Sequence, residues 1–198
     1  MHVVPPTARG IDAAVDALQR GDLIAYPTET VYGLGVNPFN ASALGRLFLA
    51  KGREQGKAVL LIIGDTAQLD RLTGPLSARA RRFADHFWPG PLSLLLPAVP
   101  GLSGNLLGPD GKLCVRCPSC DTARALCRAF GGPITSTSAN LSGAMPARSV
   151  AELTLADIAV AVDGGTLPNG PLSTIVDPET GRVLREGVIP GRALQAFL

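Results

Sequence analysis

Residues 23–35 read Leu23-Ile-Ala-Tyr-Pro-Thr-Glu-Thr-Val-Tyr-Gly-Leu-Gly35. The unbroken apolar run from Leu23 to Tyr26 predicts a strand buried on both faces. Pro27 lacks the N–H that a sheet ladder needs, so the strand should end there. Beyond it the chain turns polar and crowded, with Thr28, Glu29, Thr30 and Tyr32, and then reaches Gly33 and Gly35. Ligands gather at strand ends in open α/β sheets, which makes this stretch a candidate site. Threonine and glycine are also ordinary turn residues, so a plain strand, tight turn and helix start fits it equally well.

Working outward, Ile11, Ala14, Val15 and Leu18 repeat at helical spacing and predict a helix over 7–20, stopped by Gly21. A second helix fits 41–51 and delivers Lys51-Gly-Arg53 at its end. Strands are expected at Val59–Ile63, Leu92–Leu96, Leu113–Cys117 and 158–162, with another beginning at Ile134. Helices are expected at 77–87, on the face made by Ala123, Leu126, Cys127 and Phe130, near 149–155 and at 191–197. Residues 173–176 and 182–185 predict a hairpin around Asp177-Pro-Glu-Thr-Gly181. Loop 97–111 is long and aperiodic, as functional or mobile loops are. The alternation predicts a single α/β domain over 1–198 with one twisted, mixed sheet and flanking helices.

The bulk numbers agree. A chain of 198 residues with 46% hydrophobic and 17% charged residues is globular rather than disordered. A net charge of +2 is too mild to argue for nucleic acid alone, yet it does not oppose an anionic ligand. No run is long enough for a membrane span, and Met1 to Pro6 does not read as a signal peptide, so a cytoplasmic location is expected.

The chemistry-bearing residues exclude several machines. His2 is at the terminus and His86 sits on a helix beside Phe87 and Trp88, which leaves no histidine for a nucleophilic triad. A Walker-type P-loop is absent. Cys114, Cys117 and Cys120 have the C-x2-C-x2-C spacing of a metal site, with Cys127 further on. Residues three apart on a strand face opposite ways, however, and Cys127 belongs to an apolar helix face. What remains is cationic and hydroxylic: Lys51, Arg53 and Lys57 after the second helix, Arg116 on the strand face of Cys114, Ser136-Thr-Ser-Ala-Asn-Leu-Ser-Gly143 at a strand end, and Arg185 late in the chain. Each piece alone fits a solvated helix end, a polar loop or a surface ion pair. Together they fit a cradle for an anionic ligand such as a nucleotide.

These pieces, in this order, resemble the threonylcarbamoyl-AMP synthase family, the TsaC/YrdC-like domain. The matching stretches are Ala25 to Gly35, Lys51-Gly-Arg53, Phe87-Trp-Pro-Gly-Pro-Leu92, Val115-Arg116, Ser136 to Gly143, Ser173-Thr-Ile-Val-Asp177 and Leu184-Arg-Glu-Gly187. They span nearly the whole chain, which looks like the short single-domain form. Two departures stand out: Val59 to Ile63 contains no histidine, and Arg116 is followed by Cys-Pro-Ser-Cys.

The resemblance implies a YrdC-like α/β fold around a large, open, positively lined cavity. It implies a nucleotidyltransferase that joins L-threonine, bicarbonate (or CO2) and ATP, with Mg2+ accompanying ATP. The products are threonylcarbamoyl-AMP and pyrophosphate, the former passed to tRNA-modification proteins that act on the adenosine beside the anticodon. By resemblance, Lys51, Arg53, Ser138, Asn140 and Arg185 bind ATP. Thr30, Arg116 and Ser173 bind threonine. Thr28, Tyr32, Lys57, Ser136, Thr137 and Ser142 line the cavity. No protein nucleophile and no side-chain metal ligand are expected. Two alternatives remain open: a module that binds RNA, even weakly, in the same basic cavity, and a different carbamoyl or adenylyl transferase.

Overall fold

The computed structural model describes residues 1–52 and 58–198. Its strands are β1 (His2–Val4), β2 (Leu23–Tyr26), β3 (Gly33–Gly35), β4 (Leu60–Ile62), β5 (Leu92–Pro97), β6 (Lys112–Arg116), β7 (Ile134–Thr135), β8 (Thr137–Ser138), β9 (Ile158–Val162), β10 (Thr174–Val176) and β11 (Val183–Arg185). The α-helices are α1 (Ala8–Arg20), α2 (Ala41–Lys51), α3 (Ala78–Phe87), α4 (Asp121–Phe130) and α5 (Gly191–Leu194). The strands form two mixed sheets, not the one expected: β1-β9-β2-β3-β8 and β11-β10-β5-β6-β4-β7. They are joined where the chain steps from β7 in one sheet to β8 in the other, with Ser136 at the step.

Local chemistry explains the helices. Thr7, Asn40 and Ser77 each cap an N-terminus by accepting a backbone N–H three residues on. Gly21 and Gly131 close α1 and α4 in the left-handed conformation. Near 149–155 only a single 3-10 turn forms, at Val150–Glu152. Loop 97–111 is pinned by Leu106, which is fully buried in the core.

Strand β2 is buried along its whole length, and its alternation feeds two cores. Leu23 and Ala25 join the larger core with α2, α3 and the inner face of the six-stranded sheet. Ile24 and Tyr26 join the second core, beneath α1 and α4. The Tyr26 hydroxyl donates to the Thr135 carbonyl at 2.7 Å and so ties one sheet to the other.

Gly33 and Gly35 are strand residues rather than turn glycines. They pair with Tyr26 and Ile24, and a Cβ at Gly35 would stand 2.8 Å from the Tyr26 ring. Strand propensity disfavours Gly-Leu-Gly, but the missing side chains make room for a buried aromatic ring.

Candidate functional site

The cavity lies between the two sheets and measures about 310 Å³, at the small end for ligand pockets. Its wall comes from strand ends: Thr28 and Thr30 after β2, Cys114 and Arg116 on β6, Ser136 to Ser138 across the step between sheets, Ser173 beside β10 and Arg185 on β11. Apolar Val31, Leu60, Leu172 and Ile175 complete it.

The first wall is a hydroxyl-closed turn. Thr28 Oγ1 donates to the Val31 carbonyl at 2.7 Å and accepts the N–H groups of Thr30 and Val31. The Thr28 and Thr30 hydroxyls lie 3.1 Å apart. Behind this turn Arg148 donates to the carbonyls of Thr30, Pro168 and Gly170, holding three chain segments together.

Two guanidiniums supply the charge. Arg116 is 2% exposed, and its Nε has no hydrogen-bond partner among the described residues. Its Nη1 lies 3.5 Å from Glu29 Oε1. Arg185 grips Ser173, with Nε on the carbonyl and Nη2 on the hydroxyl, each at 3.0 Å. Burial lowers the Arg185 pKa; the Cys114 thiol acts against that shift and the Arg116 charge adds to it. Two like charges beside one desolvated cavity favour an anion between them.

Of the residues expected to bind ATP or threonine or to line the cavity, Thr28, Thr30, Arg116, Ser136, Thr137, Ser138, Ser173 and Arg185 meet here. Lys51 stands behind them: its ammonium donates to the carbonyls of Ser138 and Asn140, so it braces the Ser138 turn with a buried positive charge. Three others are turned away. The Tyr32 hydroxyl donates to the Gly165 carbonyl and accepts the Gly164 N–H, both at 2.9 Å, bracing the loop after β9. Asn140 uses its amide N–H groups on the carbonyls of Leu141 and Ala144. Ser142 is exposed, and its backbone N–H donates to the Lys51 carbonyl. Arg53 and Lys57 lie outside the described residues.

The cysteines are dispersed. Cys114 faces the cavity, Cys117 and Cys127 enter different cores, and Cys120 points at the Pro27 carbonyl. Burial pushes the thiols of Cys117, Cys120 and Cys127 up, away from the thiolate that a metal prefers. His86 packs its ring 4.4 Å from that of Phe197 at the surface.

The residue-type pattern left Glu29, Ser93 and Arg148 without a role. Glu29 is a carboxylate inside a stretch that is otherwise buried, and Ser93 is the lone hydroxyl in an apolar strand. Both were signals in plain view. Nothing local marks Arg148, whose side-chain partners lie 20 or more positions away.

Residues 16–187 match the model of the Sua5/YciO/YrdC family, described as Telomere recombination. The chain belongs to this family. Every cavity residue named above falls within the matched span. The threonylcarbamoyl-AMP synthase of Chromohalobacter salexigens is 41% identical over 181 residues, covering 90% of this chain and 98% of that protein. The structure of Sua5 from P. abyssi complexed with L-threonine superposes with a TM-score of 0.90 at 33% identity. All of this chain is covered there, and it spans 59% of that longer Sua5. YciO from E. coli superposes at 0.84 with 26% identity, covering 100% of this chain and 98% of that one.

Proposed function

We infer that this family member is an L-threonylcarbamoyladenylate synthase, joining L-threonine, bicarbonate or CO2, and ATP into threonylcarbamoyl-AMP and pyrophosphate. The observation that carries this is Arg116: a buried guanidinium in a cavity wall, with its Nε–H unsatisfied among the described residues and the Glu29 carboxylate 3.5 Å away. A small ligand with its own carboxylate completes that hydrogen bonding. The P. abyssi relative complexed with L-threonine supports an amino acid as one of the substrates.

The chemistry needs no protein nucleophile. The threonine amine attacks CO2, forming the N–C bond and releasing a proton to solvent. The carbamate oxygen then attacks the α-phosphorus of ATP; an O–P bond forms, the bond to the β-phosphate bridge breaks, and pyrophosphate leaves with the electron pair. The protein contributes position and charge. Arg116 and Ser173 hold threonine beside the Thr28–Thr30 turn. Arg185 and the hydroxyls of Ser136, Thr137 and Ser138 meet the phosphoryl oxygens, with Lys51 fixing the Ser138 turn behind them.

Mg2+ enters with ATP as part of the substrate. Among the described residues the cavity lining includes no carboxylate, which leaves phosphates and water to hold the ion. The product, a mixed anhydride, passes to proteins that modify the adenosine beside the anticodon of tRNA, which places the enzyme in the cytoplasm. No helix among the described residues is long and apolar enough to cross a membrane.

Pyrophosphate release from ATP, with and without L-threonine and bicarbonate, tests the assignment. Release that depends on both is expected. Release indifferent to threonine would make the protein a different transferase. No release, together with RNA affinity that falls steeply with salt, would make it an RNA-binding module. Within an active enzyme, Arg116→Ala should raise KM for L-threonine by about tenfold or more, the worth of a charged hydrogen bond, with a far smaller change for ATP. Equal losses for both would remove the carboxylate role from Arg116.

A further inference from the structure

Ser93 lies on β5, is fully buried and is absent from the cavity wall. Its hydroxyl has one hydrogen-bond partner among the described residues, the Ser173 hydroxyl at 3.1 Å. Ser173 is 2% exposed, lines the cavity and also accepts from Arg185 Nη2.

Proton accounting fixes the direction of this chain. A guanidinium only donates, so Arg185 occupies one lone pair of Ser173. A buried hydroxyl proton needs an acceptor, and for Ser93 that acceptor is Ser173 Oγ. Both lone pairs of Ser173 are then occupied, which leaves it a single proton and no acceptor capacity toward the cavity.

We propose that Ser93 is a positioning residue that makes Ser173 an obligate hydrogen-bond donor. This deepens the functional reading above and rests on it. With Arg116, Ser173 then forms a donors-only surface that accepts the carboxylate end of the amino acid and rejects its ammonium end. The two ends of a zwitterion are thereby told apart, and the amine is left facing the carbon dioxide it must attack. Register supports the assignment, since β5 and β10 run parallel with Ser93 opposite Ile175, a residue of the same cavity wall.

The test measures threonine-dependent pyrophosphate release and calorimetric binding of L-threonine for the wild type, Ser93→Ala, Ser93→Cys and Ser93→Thr. Ser93→Ala frees a lone pair on Ser173. It should raise KM and Kd for L-threonine about tenfold, leave KM for ATP within about twofold, and narrow the preference for L-threonine over L-threoninol, which lacks the carboxylate. Ser93→Thr retains the donor and should restore most of the affinity. Ser93→Cys keeps the volume with a weaker donor and should fall between, which covers the case in which Ser93→Ala folds poorly. A wild type that neither binds threonine nor shows threonine-dependent release overturns the functional reading and this one with it. An active wild type whose Ser93→Ala and Ser93→Cys variants keep its KM for L-threonine and its discrimination against L-threoninol overturns this inference alone.

Discussion

Oε1 of Glu29 lies 3.5 Å from Nη1 of Arg116, and neither oxygen of that carboxylate accepts a hydrogen bond from the described residues. The pair neutralises the buried guanidinium without satisfying it, which leaves Arg116 able to take a better carboxylate. Glu29→Gln should therefore destabilise the ligand-free protein by about 3 kcal/mol through an uncompensated buried charge. In a chain of this size that is roughly 10 °C in Tm. The further rise in Tm on adding saturating L-threonine should be larger than in the wild type, because the ligand supplies the missing anion. Thermal unfolding with and without L-threonine checks this, and a threonine-induced rise no larger than the wild type's would count against the pairing.

The two glycines of β3 should separate by effect. A Cβ at Gly35 meets Tyr26 and Ile24, both fully buried. Gly35→Ala should cost about 1–3 kcal/mol by overpacking and loosen the Tyr26 bond to Thr135. A Cβ at Gly33 stands 3.0 Å from Ser136 Oγ in the cavity wall, so Gly33→Ala should also lower activity. Denaturant unfolding beside the pyrophosphate assay distinguishes the two.

Arg185→Lys makes the desolvated cation titratable. Burial and the neighbouring Arg116 charge lower the Arg185 pKa, and a lysine in that place should likewise fall below its usual value of about 10.4. As pH rises through that lowered value the variant should lose affinity for ATP, while the wild type holds its charge. Fold stability should move the opposite way: a cation disfavoured in the folded state is relieved when it deprotonates, so the variant gains stability over the same range. KM for ATP and Tm measured from pH 7 to 10 report both signs.

Lys112 Nζ meets Asp177 Oδ2 at 2.6 Å and ties the start of β6 to the β10–β11 turn. Burial pushes the Asp177 carboxyl up, but hydrogen bonds from Lys112, the Glu179 N–H and the Thr180 hydroxyl outweigh it, and its pKa falls below 3.8. The stability this provides is present above the unfolded value and is lost as pH falls through the lower folded one. Lys112→Met should cost about 1–3 kcal/mol at neutral pH and flatten the decline below about pH 4. Tm as a function of pH for both proteins measures the difference.

Much of the architecture could be read locally. The starts of α1, α2 and α3 follow from a capping side chain before an amphipathic run, and β2 follows from unbroken apolar residues before a proline. The β10–β11 hairpin follows from its turn chemistry. What escaped has non-local causes. β1 is only three residues and exists because β9 offers it an edge. β3 contradicts strand propensity and is held by the Tyr26 ring. β7 and β8 have two residues each, too short for any period to show. The candidate site divided the same way: residue types nominated Arg116, Ser138 and Arg185 and the family resemblance added Ser173, while the turning away of Tyr32, Asn140 and Ser142 depended on carbonyls brought close by other segments.

The amino-acid sequence by itself determined α1 to α4, the longer buried strands and the inventory of guanidiniums and hydroxyls, because caps, turns and alternation act over a few residues. Only the tertiary structure decided that there are two sheets, that Glu29 faces Arg116 across 87 positions of chain, and that the Ser93 and Ser173 hydroxyls meet. Those outcomes turn on which buried polar atoms are left to find one another once the cores have closed. That selection is made by packing in three dimensions, and no local pattern records it.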